Sequence, residues 1–421
     1  MNHIRVILAI SFILFSVSEA FGQMDIRVRL GNEPSDIMVS IKEGHYTILA
    51  AEPNGFAIDT VWCIADSDAI KLMHIKQQGN NIALSSKAFG IIVLSELWLV
   101  PSKDDIDPSF IISGVGKNER WYQDVLHVFI SKSHNKLTVV NQVHFEKYVA
   151  GVIESEGGAF PESEFFKAQA VIARTFAMKN LKKHINEGYN LRDDVSSQVY
   201  HSRAYLKNSA MILEATKATS DSILVDRFGY PLSTLFHANS GGQTANAGDV
   251  WSNDIPYLRS RPDPFSVNQT SFRWEKTINK NEILSYLARQ LNTHAQDSGL
   301  IDAWKNFTQP NRKAYFTYNG KSLKLTHIRH RFNLRSTFFD VHESGQNYIL
   351  KGRGYGHGVG LSQDGAINMS NSGFSFKDIL YFYYENSELV NLKELFDNRE
   401  EIRELVNKNS HSPMFRGSPG T

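Results

Sequence analysis

The sequence predicts an α+β fold: a β-rich N-terminal module over 24–140, then a mixed core over 141–391 in which helices surround short sheets and leave a cleft. Two observations carry this. Between Met24 and Val140 short apolar or alternating runs (IRVRL, IMVSI, YTIL, IALSS, IIVLSELWLV, LHVFIS and LTVV) are separated by Gly, Asn, Pro and Asp. That is how strands joined by turns read. From Phe145 the apolar spacing changes to three and four, the period of a helix buried along one face. The ends, 1–22 and 392–421, stand apart in composition.

The N-terminal end reads as a secretory signal. Met1–Arg5 carry one Arg and no acid, Val6–Val17 are almost wholly apolar, and small residues follow at Ser18, Ala20 and Gly22. A basic start, a short apolar run and small residues before a cut have that meaning, so cleavage is expected after Ala20 or Gly22. The run is short for a membrane helix of about 20 residues, and no later segment is apolar enough, so no transmembrane segment is expected. The expected place is the periplasm or cell envelope. An N-terminal strand of the fold is the plainer alternative.

The chain has 421 residues, 21% of them charged and 42% apolar, which describes a globular core and excludes a disordered chain. A net charge of +1 gives no reason to expect a nucleic-acid partner. The single Cys, Cys63, excludes an internal disulfide and a thiolate-rich metal site. The tail from about Asn398 is polar and ends in Ser, Pro and Gly.

Within the core, Phe145–Ser155 is expected as a short helix ended by Gly157-Gly158. Pro161 followed by Glu162 and Glu164 opens a second helix, running to about His184. Phe166, Ala170, Ala173, Ala177 and Leu181 form its buried stripe, and Lys167, Val171, Arg174 and Met178 another. A helix near Asn208–Ala218 and a strand pair at Ser222–Val225 and Leu232–Phe236 follow. Then come a helix over Lys280–Leu291 and strands at Ala314–Tyr318, Phe338–His342 and Tyr348–Lys351. A last Phe- and Tyr-rich helix is expected at Phe376–Tyr384.

Four stretches could carry chemistry. In Tyr148-Val-Ala-Gly-Val-Ile-Glu-Ser-Glu156-Gly-Gly, Glu156 sits at a helix C-terminus, where the macrodipole disfavours a negative charge and raises the pKa. A general acid needs that property. Glu154, two residues back, faces elsewhere. Two solvated glutamates at a fraying helix end are the plainer reading. Lys167 and Arg174, two turns apart on one face, suit carboxylate or carbonyl groups of a ligand, or else form a solvated helix edge. Phe236-His237-Ala-Asn-Ser240-Gly-Gly with Trp251 could line a sugar cleft, the Trp stacking on a ring and the small polar groups holding hydroxyls. A Gly-rich turn beside a core Trp is the alternative. In Gly352-Arg-Gly-Tyr355-Gly-His357-Gly-Val-Gly360 every second residue is Gly. In an extended strand these glycines share one face, which implies close approach by another segment or by a ligand. His357 alone could be an interior His.

These segments in this order (YVAGVIESE, FFKAQAVIARTFAMKN, FHANSGGQTANAGDVW with NDIPYL, and GRGYGHGVGLSQDGA ahead of a Tyr-rich helix) resemble the stage II sporulation protein D family, also called SpoIID/LytB. The resemblance implies a peptidoglycan lytic transglycosylase acting on glycan strands stripped of stem peptides. Glu156 then stands in the catalytic glutamate's place, Lys167 and Arg174 at functional basic positions, and His237, Ser240 and the GHGVG segment with His357 at the cleft motifs; Trp251 and Tyr355 are expected to join them in binding substrate. The family also includes amidase enhancers, so a non-catalytic glycan binder that activates a cell-wall amidase is the alternative. No cofactor is expected. Some members hold zinc through a His-Cys pair before Gln-Val-Tyr, but here Ser196-Ser197 precede Gln198-Val199-Tyr200. Asp364 replaces a common Tyr, and Gly157-Gly158 a common Met-Pro.

Overall fold

The computed structural model describes residues 24–51, 62–66, 70–251 and 253–392. The segment read as an export signal, 1–22, lies outside them, as does the tail after Leu392. Among the described residues no helix is long and apolar enough to cross a membrane. The fold is α+β, strand-rich in its N-terminal part.

Two compact units are distinguished. The first runs to Pro161 and includes Ala173–Ile223 and the segment from Val390. Its strands are β1 (Asp25–Arg29), β2 (Asp36–Glu43), β3 (Tyr46–Ala51), β4 (Trp62–Asp66), β5 (Leu72–Gln78), β6 (Asn81–Ser86), β7 (Gly90–Leu94), β8 (Glu96–Pro101), β9 (Ser109–Ser113), β10 (Arg120–Gln123), β11 (Val125–Ile130), β12 (Leu137–His144) and β13 (Leu191–Arg192). They form a seven-stranded sheet in the order β13-β1-β12-β11-β8-β3-β4 and a six-stranded sheet in the order β10-β9-β2-β5-β6-β7. The alternating sequence pattern fixes the faces. Ile37, Val39 and Ile41 of β2, Met73 and Ile75 of β5, and Ile82 and Leu84 of β6 are all buried, with more exposed residues between them.

The helices of this part are α1 (Phe145–Gly157), α2 (Ser163–Asn180) from Ala173 onward, its earlier turns being counted with the second unit, and α3 (Ser209–Ala218). α1 follows β12 without a break, and the Phe145 N–H bonds the Met24 carbonyl at 2.8 Å. α2 is buried along both stripes read from the sequence: Phe166, Ala170, Ala173 and Ala177 on one, Val171, Arg174 and Met178 on the other. It ends at Asn180, four residues before His184.

The second unit comprises Glu162–Ile172 and Leu224–Leu389. Its centre is a three-stranded antiparallel sheet, Arg273–Asn279 beside Asn347–Arg353 beside Phe339–Ser344. After the short α4 (Ala247–Val250), helices α5 (Lys280–Leu291), α6 (Ser298–Lys305) and α7 (Leu325–Arg331) contribute Ile283, Leu287, Trp304 and Ile328 to one apolar cluster with Trp274, Phe339 and Leu350 from the sheet. Asn319-Gly320, both left-handed, turn the hairpin Tyr315–Tyr318/Lys321–Lys324. α8 (Gln363–Asn371) and α9 (Phe376–Tyr383) complete the unit, α9 capped by a reciprocal Ser375–Asp378 box.

Two expectations are corrected. The segment Leu232–Phe236 meets Ser222–Val225 only at its start, through the antiparallel bridge Val225–Pro231 and the Leu232 N–H to the Leu224 carbonyl at 3.0 Å, and does not run on as a partner strand. The chain turns back through Asp226–Tyr230, and the strand Phe236–His237 pairs in parallel with Leu361–Ser362 instead. Nor does the Gly-rich stretch continue as a strand. Extended structure ends at Arg353, and Gly354, Gly356, Gly358 and Gly360 adopt φ of 80°, 110°, 85° and 73°, a conformation other residues resist. The close approach by another segment does hold. A β-carbon at Gly360 would lie 2.0 Å from the Leu235 carbonyl oxygen.

Gly360→Ala is therefore expected to combine steric overlap with backbone strain of about 1–3 kcal/mol. Gly373 has φ 85° but open space around it, so Gly373→Ala should show the strain alone. Urea unfolding of the two variants measures the difference, with Gly360→Ala the less stable.

Candidate active site

In the first unit, the last turn of α1 holds down the segment 196–206 with three consecutive side chains. The Glu156 carboxylate accepts the Val199 N–H at 2.9 Å. Ser155 Oγ accepts the His201 N–H at 3.1 Å while donating to the Gly151 carbonyl at 2.7 Å. Glu154 accepts from the N–H groups of Tyr205 and Leu206 at 3.1 and 3.0 Å. Gly151 is required for this contact, because a β-carbon there would lie 2.4 Å from the Ser202 carbonyl and 2.5 Å from the Tyr200 ring. Glu154 and Glu156 thus face different parts of one segment, and neither is a solvated end.

Glu156 is half-buried, and burial raises its carboxyl above its ordinary value against the opposing Val199 N–H bond. Desolvation leads this shift, in place of the helix dipole expected from the sequence. Burial raises Glu154 as well, but its carboxylate is engaged by two backbone amides.

Arg174 is 0% exposed. Its Nε and Nη2 donate to the two Glu146 oxygens at 2.8 and 2.6 Å, Nη1 to the Ser222 carbonyl at 2.9 Å and Nη2 also to the Thr216 carbonyl at 3.4 Å. A guanidinium so enclosed has no face for a ligand, so both expectations, ligand contact and solvated edge, give way to an internal clamp joining α1, α2 and the end of α3. Its partner was missed: Glu146, an acid in the first turn of an otherwise buried helix, was the available signal.

Lys167 belongs to the second unit. It is half-buried and donates to Glu164 at 2.6 Å, while the other Glu164 oxygen accepts the Phe376 N–H at 2.7 Å.

The second unit also brings together His237, Ser240, Trp251, Tyr355 and His357. Asn239 and Tyr355 exchange backbone hydrogen bonds at 3.0 and 2.8 Å, which presses the Gly-rich loop against 236–241. The His237 and His357 rings lie 5.4 Å apart between centroids, and Trp251 lies 5.1 Å from His357. His237 is buried. Its Nδ1 meets the Val359 carbonyl at 3.1 Å, which sets the proton on that nitrogen, and its Nε2 has no hydrogen-bond partner. Burial, then His357 and Arg312, holds His237 well below its ordinary pKa, so it is neutral. His357 Nδ1 accepts the Val359 N–H at 3.1 Å, and burial followed by Arg329 pushes its pKa down to about 4. Two neutral imidazoles stand beside two rings open to solvent, Trp251 at 40% and Tyr355 at 46% exposure.

Ser240 is wholly buried and serves the loop rather than the surface. Its Oγ joins Asp263 at 2.6 Å and Ser266 at 2.7 Å, and its carbonyl accepts Arg312 Nη2 at 2.5 Å. Asp263, Ser266 and Arg312 were missed; only the Asp-Pro-Phe-Ser cap preceding the short turn at Pro264–Ser266 was there to be read. Among the described residues no group of three or more His, Cys, Asp or Glu side chains has metal-binding geometry.

A family model described as "Stage II sporulation protein" matches residues 133–225, which contain Glu156, Lys167 and Arg174. Stage II sporulation protein D of Bacillus subtilis is 32% identical over 263 residues, covering 59% of this chain and 75% of the relative. The chain belongs to the stage II sporulation protein D family. An uncharacterised protein of Brachyspira hyodysenteriae is 29% identical over 261 residues, covering 61% of this chain and 69% of its own length. This chain is also similar to the amidase enhancer of B. subtilis, 24% identical over 296 residues, covering 57% of this chain and 40% of that protein.

Two expectations follow. Arg174→Met leaves the Glu146 carboxylate without its buried partner and should cost about 3–5 kcal/mol of stability in urea unfolding. Arg174→Lys should recover only part, because an ammonium cannot span both oxygens. For Glu156, the folded-state pKa is raised, so its favourable contribution is present below the unfolded carboxylate range and is lost as pH rises through the folded pKa. Glu156→Gln should therefore unfold at higher temperature than the parent at pH 7, with the gap closing near pH 4. Thermal unfolding across that range checks the sign.

Proposed function

We propose that this chain is a peptidoglycan lytic transglycosylase that acts in the cell envelope after export. It cleaves the bond between N-acetylmuramic acid and N-acetylglucosamine in peptide-stripped strands and leaves a 1,6-anhydro end. The observation that carries this reading is the Glu156 carboxyl, half-buried on the rigid last turn of α1 and raised in pKa by burial. A carboxyl of that kind holds its proton closer to neutral pH than a solvated one. Its proton goes to the glycosidic oxygen as the bond from muramic acid C1 breaks. The resulting carboxylate takes the proton of the C6 hydroxyl, whose oxygen closes on C1. No water is consumed, so one carboxyl group suffices, whereas hydrolysis needs a second one about 5–9.5 Å away. Glu154, the nearest carboxylate in sequence, is held by Tyr205 and Leu206.

Trp251 and Tyr355 offer open aromatic faces suited to sugar rings, with the partly exposed neutral His357 beside Trp251 as a hydrogen-bonding group and His237 buried behind it. Lys167 contributes a cation, and Arg174 acts by positioning. A second reading, a glycan-binding partner of a cell-wall amidase, is favoured by the likeness to a protein named amidase enhancer.

Digestion of peptide-free glycan strands by the protein and by its Glu156→Gln variant, followed by mass spectrometry, separates the two. Products ending in anhydro-muramic acid, absent with the variant, are expected. Reducing-end products would replace the lyase with a hydrolase. Binding without product from either protein would favour the amidase partner.

A further inference from the structure

Arginines gather around the Gly-rich loop of the second unit without acids to match them. Arg312 packs its guanidinium against Gly358, where a β-carbon would lie 2.9 Å away. Arg335 is exposed and lies 5.5 Å over the Tyr355 ring, and its carbonyl accepts the Gly356 N–H at 2.9 Å. Arg329, on the last turn of α7, is half-buried and donates its Nε to the Leu334 carbonyl at 3.2 Å. Among the described residues no carboxylate lies within ion-pair distance of Arg312, Arg329 or Arg335, and the terminal nitrogens of Arg329 and Arg335 make no hydrogen bond.

The two inner cations have structural work. Arg312 is spent on Gln243, Thr337 and Ser240, and Arg353 reaches the Gln309 carbonyl and stacks 3.8 Å from the Phe338 centroid. Asp340 acts on Arg353 while its Oδ1 accepts the Gln309 N–H. Arg329 and Arg335 have no comparable partners. Desolvation draws Arg329 below its ordinary pKa with only Tyr355 acting against it, a sign that nothing anionic in the fold compensates it. Arg335, exposed and 5.5 Å over the Tyr355 ring, has its N–H edge free, and such an edge matches the two oxygens of a planar acid.

We propose that Arg329 and Arg335, beside Tyr355 and His357, form a specificity site for a carboxylate carried on the glycan. The inference rests on the glycan reading of this cleft and adds the group that is recognised. Peptidoglycan supplies a carboxylate in two ways: as the free lactyl group of a peptide-stripped muramic acid, and as the terminal carboxyl of a stem peptide. In a strand with peptides attached, the lactyl group is an amide and carries no charge. Recognition of the lactyl acid would select stripped strands.

The test is calorimetric binding in a Glu156→Gln background, which separates binding from cleavage. The probes are a peptide-free glycan with free lactyl acids, the same glycan with those acids converted to methylamides, a peptide-bearing glycan, and an N-acetylglucosamine oligomer. Free-acid glycan should bind about tenfold or more tightly than the methylamide, as expected for a charge-assisted pair. Arg335→Gln and Arg329→Gln should each lose that advantage and leave methylamide binding unchanged. Arg335→Gln removes no hydrogen bond of the fold, so it stays informative if Arg329→Gln is less stable. Peptide-bearing glycan binding as tightly as the free acid, through the same arginines, would assign the site to the stem-peptide carboxyl. Equal binding of acid and methylamide, or variants that bind like the parent, would overturn the proposal. Anhydro products with carboxylate-blind binding would sink this site and keep the lyase; carboxylate-dependent binding without product would do the reverse.

Discussion

The Arg174 guanidinium lies wholly inside the first unit and gives its Nε and Nη2 to both oxygens of Glu146, with its remaining bonds going to the Ser222 and Thr216 carbonyls. A charge in that position is tolerated only when nearly every donor is satisfied, so the pair admits little variation in how α1 lies against α2 and α3. Glu146 begins α1 and Glu156 nears its end, so an orientation fixed at one end of a helix is carried to the other. The far end is fixed again, from outside, by the segment 196–206 that rests on Glu154, Ser155 and Glu156. The proton transfer proposed for Glu156 would need that rigidity, and its partial burial raises the carboxyl pKa at the same time.

The second unit reaches rigidity by a different route, backbone against backbone. Left-handed Gly354, Gly356 and Gly360 let the loop 354–360 lie against 235–241 where any side chain would collide, Gly358 makes room for Arg312, and buried polar groups hold the contact: Ser240 with Asp263 and Ser266, His237 on Val359, Arg312 on Ser240 and Gln243. Tyr383 adds its hydroxyl to Asp263 at 3.2 Å, which ties the aromatic helix α9 to the same network. What this scaffold leaves open is narrow in chemical type: aromatic faces at Trp251 and Tyr355, neutral imidazole at His357 and guanidinium edges at Arg329 and Arg335.

Much of the fold was legible because its signals are local. The strand runs before Val140, the double apolar stripe of α2, the helix at Lys280–Leu291 and the last helix from Phe376 follow from side-chain period and capping residues, and they stand as read. The misreadings share one cause. Alternating glycines were taken for a strand because period two is a strand's signature, yet glycine leaves φ unspecified and the collision with Leu235 and its neighbours chose the left-handed alternative. Leu232–Phe236 reads as the second strand of a pair, but only its start meets Ser222–Val225, and the strand that forms, Phe236–His237, pairs with Leu361–Ser362 more than a hundred residues onward, out of reach of any local pattern.

The sequence by itself determined the α+β class, the helix that carries Glu156, the companion helix of Lys167 and Arg174, and a set of motifs sufficient to place the family, because each depends on residue type and short spacing. Only the tertiary structure decided what those residues do. It turned Arg174 inward to Glu146, set Ser240 into a buried network, made desolvation the cause of the Glu156 shift, and left Arg329 and Arg335 without acids beside the aromatic rings. Burial and long-range partners set a side chain's charge, access and freedom, and neither is written in the neighbours along the chain.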